Sequence, residues 1–245
     1  MTTQAQRDFP YYAGEPVRLQ GRHWLVVLGG VALAFCVLVS PYTRLPDPWS
    51  TVMPSLLFCA VPLLALAAVA GRAWTALYRR VTLRDVLWMV GIAAANLVVS
   101  ILVGLMLTAS HPTASNPAFA TLGAADTSAR VIAFAAMVPQ LAGEELFTIL
   151  PFLACLWLLH TRWAVPRTTA LIAAWILSAI PFALVHLPTY NWNILQCLVV
   201  IGSARLMLSL AYLATRNLWV STGAHIINDW VLFGIGLVAQ AARPA

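Results

Sequence analysis

The sequence predicts an all-α membrane protein, a polytopic transmembrane helical bundle of about seven spans with its polar site in the C-terminal half. Three observations lead there. The 245 residues are 61% hydrophobic and 9% charged, too few polar side chains to cover a soluble domain of this size, and mean hydropathy is +0.84. Apolar runs of about 20 residues, the length that crosses a bilayer core as a helix, recur along the chain. Glu144 and Glu145 stand side by side inside one of these runs, where each carboxylate costs roughly 2.5 kcal/mol or more to insert and therefore marks a polar, working interior.

The spans follow in order. The first, 24–40, comes after a polar leader, 1–23, and is flanked by Arg18 and Arg22; it reads as an uncleaved span rather than a signal peptide. The connection 41–51 carries Pro41, Pro46 and Pro48 and reads as a loop. After the second span, 52–71, the basic and aromatic stretch 72–85 is expected at headgroup level. The third span is 86–108. The longest connection, 110–129, is rich in Ala, Ser, Thr and Pro and reads as mobile. The fourth span, 131–159, holds the glutamate pair. The fifth, 168–187, is expected to bend at Pro181. The sixth, 192–214, contains Arg205, and the seventh is 218–240. With no internal repeat and no soluble segment of domain size, residues 1–245 form one integral-membrane domain, with 131–240 as its motif-bearing core.

All fourteen basic residues are arginines. With the N-terminus inside, the inner side receives Arg7, Arg18, Arg22, Arg72, Arg79, Arg80, Arg84, Arg162, Arg167 and Arg216; the outer side receives Arg44, Arg130 and Arg243. That bias sets a cytoplasmic N-terminus, in the plasma membrane if the source is bacterial. No basic stripe with interleaved aromatics follows a phosphate backbone, which excludes a nucleic-acid partner; the lipid bilayer is the partner the composition requires. Cys36, Cys59, Cys155 and Cys197 lie in apolar runs without a paired spacing and read as small buried hydrophobes.

Few ionisable groups remain inside the spans, and their spacing is regular. Gln140, Glu144 and Thr148 recur every four residues on the fourth span, as do Ser178, Phe182 and His186 on the fifth, and Ser221, His225 and Asp229 on the seventh. Each set lies along one helix face, with Glu145 about 100° off its stripe, so three helices each turn a polar stripe toward what reads as a shared cavity. Glu144 and His186 are about equally far from the turn near 162–167 and reach the same level. His225 follows Arg216 by only about two turns, so the sixth span is expected to tilt, break or sit high for the three to meet.

The Glu144-Glu145 pair, Phe182-x-x-x-His186 and His225-x-x-Asn228-Asp229, in this order and each inside an expected helix, resemble the CPBP family of intramembrane proteases. That family includes CAAX prenyl endopeptidases and bacteriocin-processing, Abi-type members. The resemblance covers roughly 131–230. It implies a protease acting on a peptide or protein substrate at the membrane, with Glu144 as catalytic carboxylate and His186 as its partner in activating water. His225 and Asp229 would support the oxyanion, with Glu145 adjacent, and Asn228 and Phe182 would assist. Where the family pattern has an arginine one turn beyond the second glutamate, this chain has Ile149. Arg205 is a cation that could replace it from the sixth span, although nothing in the sequence puts it in contact with Glu145.

Other readings stay open at this stage. Glu144, His186 and His225 match the ligand types of a catalytic zinc, but no His-Glu-x-x-His helix is present, and the expectation is no cofactor, with zinc as the alternative. A degenerate scaffold or immunity protein binding a peptide or membrane partner, and a proton-coupled transporter, use the same residue types; the absence of repeat symmetry speaks against the transporter.

Overall fold

The structure, a computed structural model, describes residues 8–40, 45–46 and 48–242. Arg7, Pro41, Arg44 and Arg243, used above for a loop and for orientation, lie outside the described residues. Among the described residues there is no strand, and seven helical stretches are long and apolar enough to cross a membrane. They comprise α1 (Gly21–Val39), α2 (Trp49–Ala70, prolonged by a tight turn to Leu77), α3 (Leu83–Thr108) and α5 (Thr127–Leu156, continued to Arg162). After them come α6 (Arg167–Leu184), a sixth stretch of α7 (Ile194–Gln196), a widened turn (Cys197–Ile201) and α8 (Gly202–Thr215), and finally α9 (Leu218–Ala241). All seven predicted spans are present.

The connection 110–129 is more ordered than its composition suggests. It contains a short helix, α4 (Ala118–Ala124), and Asp126 caps α5 by accepting from the Ala129 N–H at 2.8 Å. Ahead of α4 the chain is strapped to the segment after α6. Gln196 accepts from the Ala114 N–H at 2.9 Å and donates to its carbonyl at 2.8 Å, and Asn193 donates to the Pro112 carbonyl at 2.9 Å.

The described part of the polar leader contributes to the core. Phe9, Tyr11, Tyr12 and Leu19 are buried; Phe9 packs edge-on against Phe152 and also meets Tyr212, and the Tyr11 hydroxyl donates to the Ala73 carbonyl at 2.8 Å. This answers the depth problem. Glu145 lies 17 residues before Arg162, whereas His225 lies 8 after Asn217, so α5 overshoots the α8–α9 turn by roughly 13 Å at 1.5 Å per residue. The leader packs against that overshoot, and Thr161 donates to the Tyr12 carbonyl. Cys36 departs from its expected burial, being exposed on the bundle surface.

α5 is the central helix, packing against α1, α2, α6 and α9, while α3 packs against α8 and α9. Gly143 lets α2 close onto α5 at the glutamates' level, because a Cβ there would lie 2.5 Å from the Phe58 ring. The depth of α9 is fixed by its cap: Asn217 accepts from Trp219 N–H at 3.2 Å and from Arg79 N–H at 3.0 Å, and donates to the Arg79 carbonyl at 3.3 Å.

Candidate active site

Three of the chain's eight acidic residues meet around one imidazole. His225, on α9 and 5% exposed, has its Nδ1 2.9 Å from Glu145 Oε1. Its Nε2 faces Glu144 Oε2 at 3.8 Å and Asp229 Oδ1 at 3.7 Å. A carboxylate accepts and cannot donate, so Nδ1 carries the proton. In a neutral ring Nε2 is then bare, and a proton on both nitrogens makes Nε2 a donor toward the other two carboxylates.

Glu145 is fully buried, and its Oε1 also lies 2.7 Å from Arg205 Nη2. Arg205, on α8, is itself fully buried and stacks with its Cζ 5.0 Å from the Phe182 ring centroid, a cation–π contact that desolvation strengthens. The hairpin explains the meeting: Arg205 precedes Arg216 by eleven residues and His225 follows it by nine, which brings them to nearly one level on antiparallel helices.

Glu144, one residue earlier, faces the other way along the site, with its side chain 16% exposed and Gln140 donating to its Oε1 at 3.3 Å. His186 is beyond the end of α6, not inside the span as predicted. Its ring stacks 4.9 Å from Phe182 and its Nδ1 meets the Phe182 carbonyl at 2.7 Å, which fixes Nδ1 as donor and leaves Nε2 as acceptor. Among the described residues no hydrogen bond or ion pair joins His186 to either glutamate. It stands one turn from Phe182, toward the end of the bundle where Tyr190 lies.

Asp229 is held from the neighbouring helix α3 through Asn228. Asn96 on α3 is buried and donates to Asn228 Oδ1 at 2.9 Å, and Asn228 donates to Asp229 Oδ1 at 2.9 Å. Asn96 escaped the sequence reading, although Asn is the one side chain of its kind in an otherwise apolar span. Outside the spans, burial raises the Tyr190 hydroxyl above its ordinary range and the charges of Asp229 and Glu144 add to it, while Asn116 donates to that hydroxyl at 3.4 Å. The outer stripe members serve their own helices: Thr148 donates to the Glu144 carbonyl, Ser178 to Trp175 and Ser221 to Leu218. The polar stripes thus converge in a packed core. A neighbouring recess of about 810 Å³ is apolar, lined among others by Leu56, Phe134, Pro139 and Trp230.

His225 Nδ1 is engaged by Glu145 and His186 Nδ1 by a carbonyl, which leaves each Nε2 free, as in a metal-bound histidine held by its other nitrogen; among the described residues, however, no group of three His, Cys, Asp or Glu side chains is arranged as a metal-ligand set.

Residues 125–231 match the family model for type II CAAX prenyl endopeptidase, Rce1-like, a segment that holds every member of the cluster except Asn96. No curated protein and no solved structure matches the chain. Over that segment, which carries the buried carboxylates and their histidines, the chain is similar to the Rce1-like, type II CAAX prenyl endopeptidases.

Proposed function

We propose that the protein is an intramembrane endopeptidase that hydrolyses a peptide bond with a glutamate-activated water and no metal. The observation that carries this reading is the position of His225, whose Nδ1 is fixed by Glu145 and whose Nε2 faces Glu144 and Asp229. Such a group needs no reorganisation when charge develops beside it.

Glu144 is the base. It takes one proton from a water held between its carboxylate and His186 Nε2, and the water oxygen adds to the scissile carbonyl carbon. Doubly protonated His225 donates from Nε2 to the resulting oxyanion. The C–N bond then breaks, the leaving amine takes the proton from Glu144, and the products are a carboxylic acid and an amine. Asp229, held by Asn228 and Asn96, orients the His225 ring rather than donating to the oxyanion. The substrate is a peptide or protein at the membrane, and the N-terminus faces the cytoplasm.

The test uses full-length protein in lipid nanodiscs with a quenched prenylated CAAX peptide, and maps new N-termini by mass spectrometry when it is added to membrane extracts. Zinc is measured on the same sample. Cleavage by a zinc-free sample that disappears in Glu144→Gln supports the reading. Cleavage that tracks bound zinc overturns its metal-free part, and cleavage retained by Glu144→Gln overturns the mechanism.

A further inference from the structure

We infer that Arg205 is a positioning residue of the hydrolytic site, supplying from α8 the cation that the Glu-Glu motif otherwise carries one turn along its own helix and that Ile149 replaces here. The inference rests on the protease reading above, and its geometry is specific to this chain.

Arg205 and His225 converge on the same atom, Glu145 Oε1, at 2.7 and 2.9 Å. A clamp whose purpose is to hold helices together would use the bidentate fork that arginine offers a carboxylate. This pair makes a single close approach, Nη2 to Oε1, as an ion pair without hydrogen-bond geometry: Glu145 Oε2 and Arg205 Nε, Nη1 and Nη2 have no hydrogen-bond partner among the described residues. The arginine therefore acts on the one oxygen that aims the imidazole. Phe182 packs against the guanidinium, and its carbonyl holds His186, so one residue on α6 ties His186 to the arginine's place.

Ile149 lies one turn from Glu145, fully buried in the apolar cluster with Leu146, Leu150 and Leu153. An arginine at 149 would reach the carboxylate that Arg205 already holds, since side chains four apart share a helix face. Position 149 has become core because position 205 provides the charge. Without Arg205, the ion pairs among the described residues leave His225 as the sole cationic partner of three carboxylates.

Five proteins in nanodiscs test this: wild type, Arg205→Met, Arg205→Lys, Ile149→Arg/Arg205→Met, and Glu145→Gln/Arg205→Met. Two readouts are taken: cleavage of the quenched prenylated CAAX peptide, and the ¹⁵N spectrum of the His225 ring. Arg205→Met is expected to lose about 100-fold in kcat, the scale of removing one preorganised electrostatic group, with KM changed less than about threefold and the Nδ1–H signal lost. Arg205→Lys and Ile149→Arg/Arg205→Met are each expected to regain about tenfold and to restore the Nδ1–H signal. Glu145→Gln/Arg205→Met removes both charges and is expected to melt near wild type yet stay about 100-fold down, which separates folding from positioning. Wild-type kcat in Arg205→Met, or full activity in the charge-free double variant, overturns the inference. If wild type itself cleaves nothing, the protease reading fails and the ring spectrum alone decides: a tautomer that survives Arg205→Met overturns the positioning role, and one lost there and regained in Arg205→Lys supports it.

Discussion

Arg205 Nη2 lies 2.7 Å from Glu145 Oε1, both side chains sealed from solvent and lipid. Elsewhere the arginines of this chain stand at or between the ends of the spans. Isolated, either charge would be intolerable at that depth; removing one partner of such a pair typically costs about 3–5 kcal/mol. The pair links α5 to α8, and through His225 to α9, so the site is assembled by electrostatics across three helices, with Arg205 and His225 lying sixty and eighty residues after Glu145.

Restoring an arginine at position 149 in the wild-type background is therefore expected to harm the protein. Ile149 is fully buried, and Glu145 already has its cation, so the added charge has no counter-charge and costs several kcal/mol. Ile149→Arg should lower the melting temperature by several degrees and reduce activity. A gain in activity would show that Arg205 does not do this job.

The sequence exposed the site's carboxylates and histidines because each is costly inside a span, and cost is visible in a sequence. Glu144, Glu145, His186, His225 and Asp229 stood out for that reason. Arg205 stood out too, and its near-symmetry with His225 about Arg216 was the available signal for their meeting. What the sequence could not display was partner choice. Glu145, not Glu144, proved the structural anchor of His225, because that depends on the rotation of α5 set by Gly143 against Phe58. The burial of the leader was not legible because Phe9, Tyr11 and Tyr12 follow no helical period, and only the overshoot of α5 gives them a surface to bury against.

That leader should release in acid. Asp8 pairs with Arg167 at 2.6 Å and accepts from the Tyr12 hydroxyl. Burial pushes its carboxyl up, but the Tyr12 and Arg167 hydrogen bonds outweigh this and hold it below its usual range. A depressed folded value means stabilisation that is present above the unfolded pKa, about 3.9, and is lost as pH falls through the folded value. Protection factors of the amides around Phe9 to Tyr12, taken against the intrinsic exchange rate at each pH, should fall below about pH 4, and Asp8→Asn should remove this acid limb. Because both side chains are over 40% exposed, the neutral-pH cost should be under about 1 kcal/mol. A pH-independent protection factor in wild type would contradict the assignment.

The strap over residues 112–116 hangs on side chains more than on packing. Gln196 supplies two of its hydrogen bonds, together about 2 kcal/mol. In Gln196→Ala, exchange of the Ala114 amide should rise at least about tenfold, while exchange in α5 stays unchanged. Equal rates in the two proteins would mean that other contacts hold the segment.

Orientation follows from the arginine bias and an odd number of spans. A reporter fused after Ala245 should score on the non-cytoplasmic side, and one fused before Met1 in the cytoplasm. Both reporters on the same side would refute the orientation.

The central claim is that Glu144 activates water for peptide hydrolysis with His186 beside it. The direct measurement is turnover of the quenched peptide by wild type, Glu144→Gln, His186→Ala and their double variant, each verified as folded by its melting curve. Each single change should cost at least about 100-fold, and the double should be no worse than either, since groups acting on one proton transfer are non-additive. Turnover by Glu144→Gln within a few-fold of wild type would contradict it.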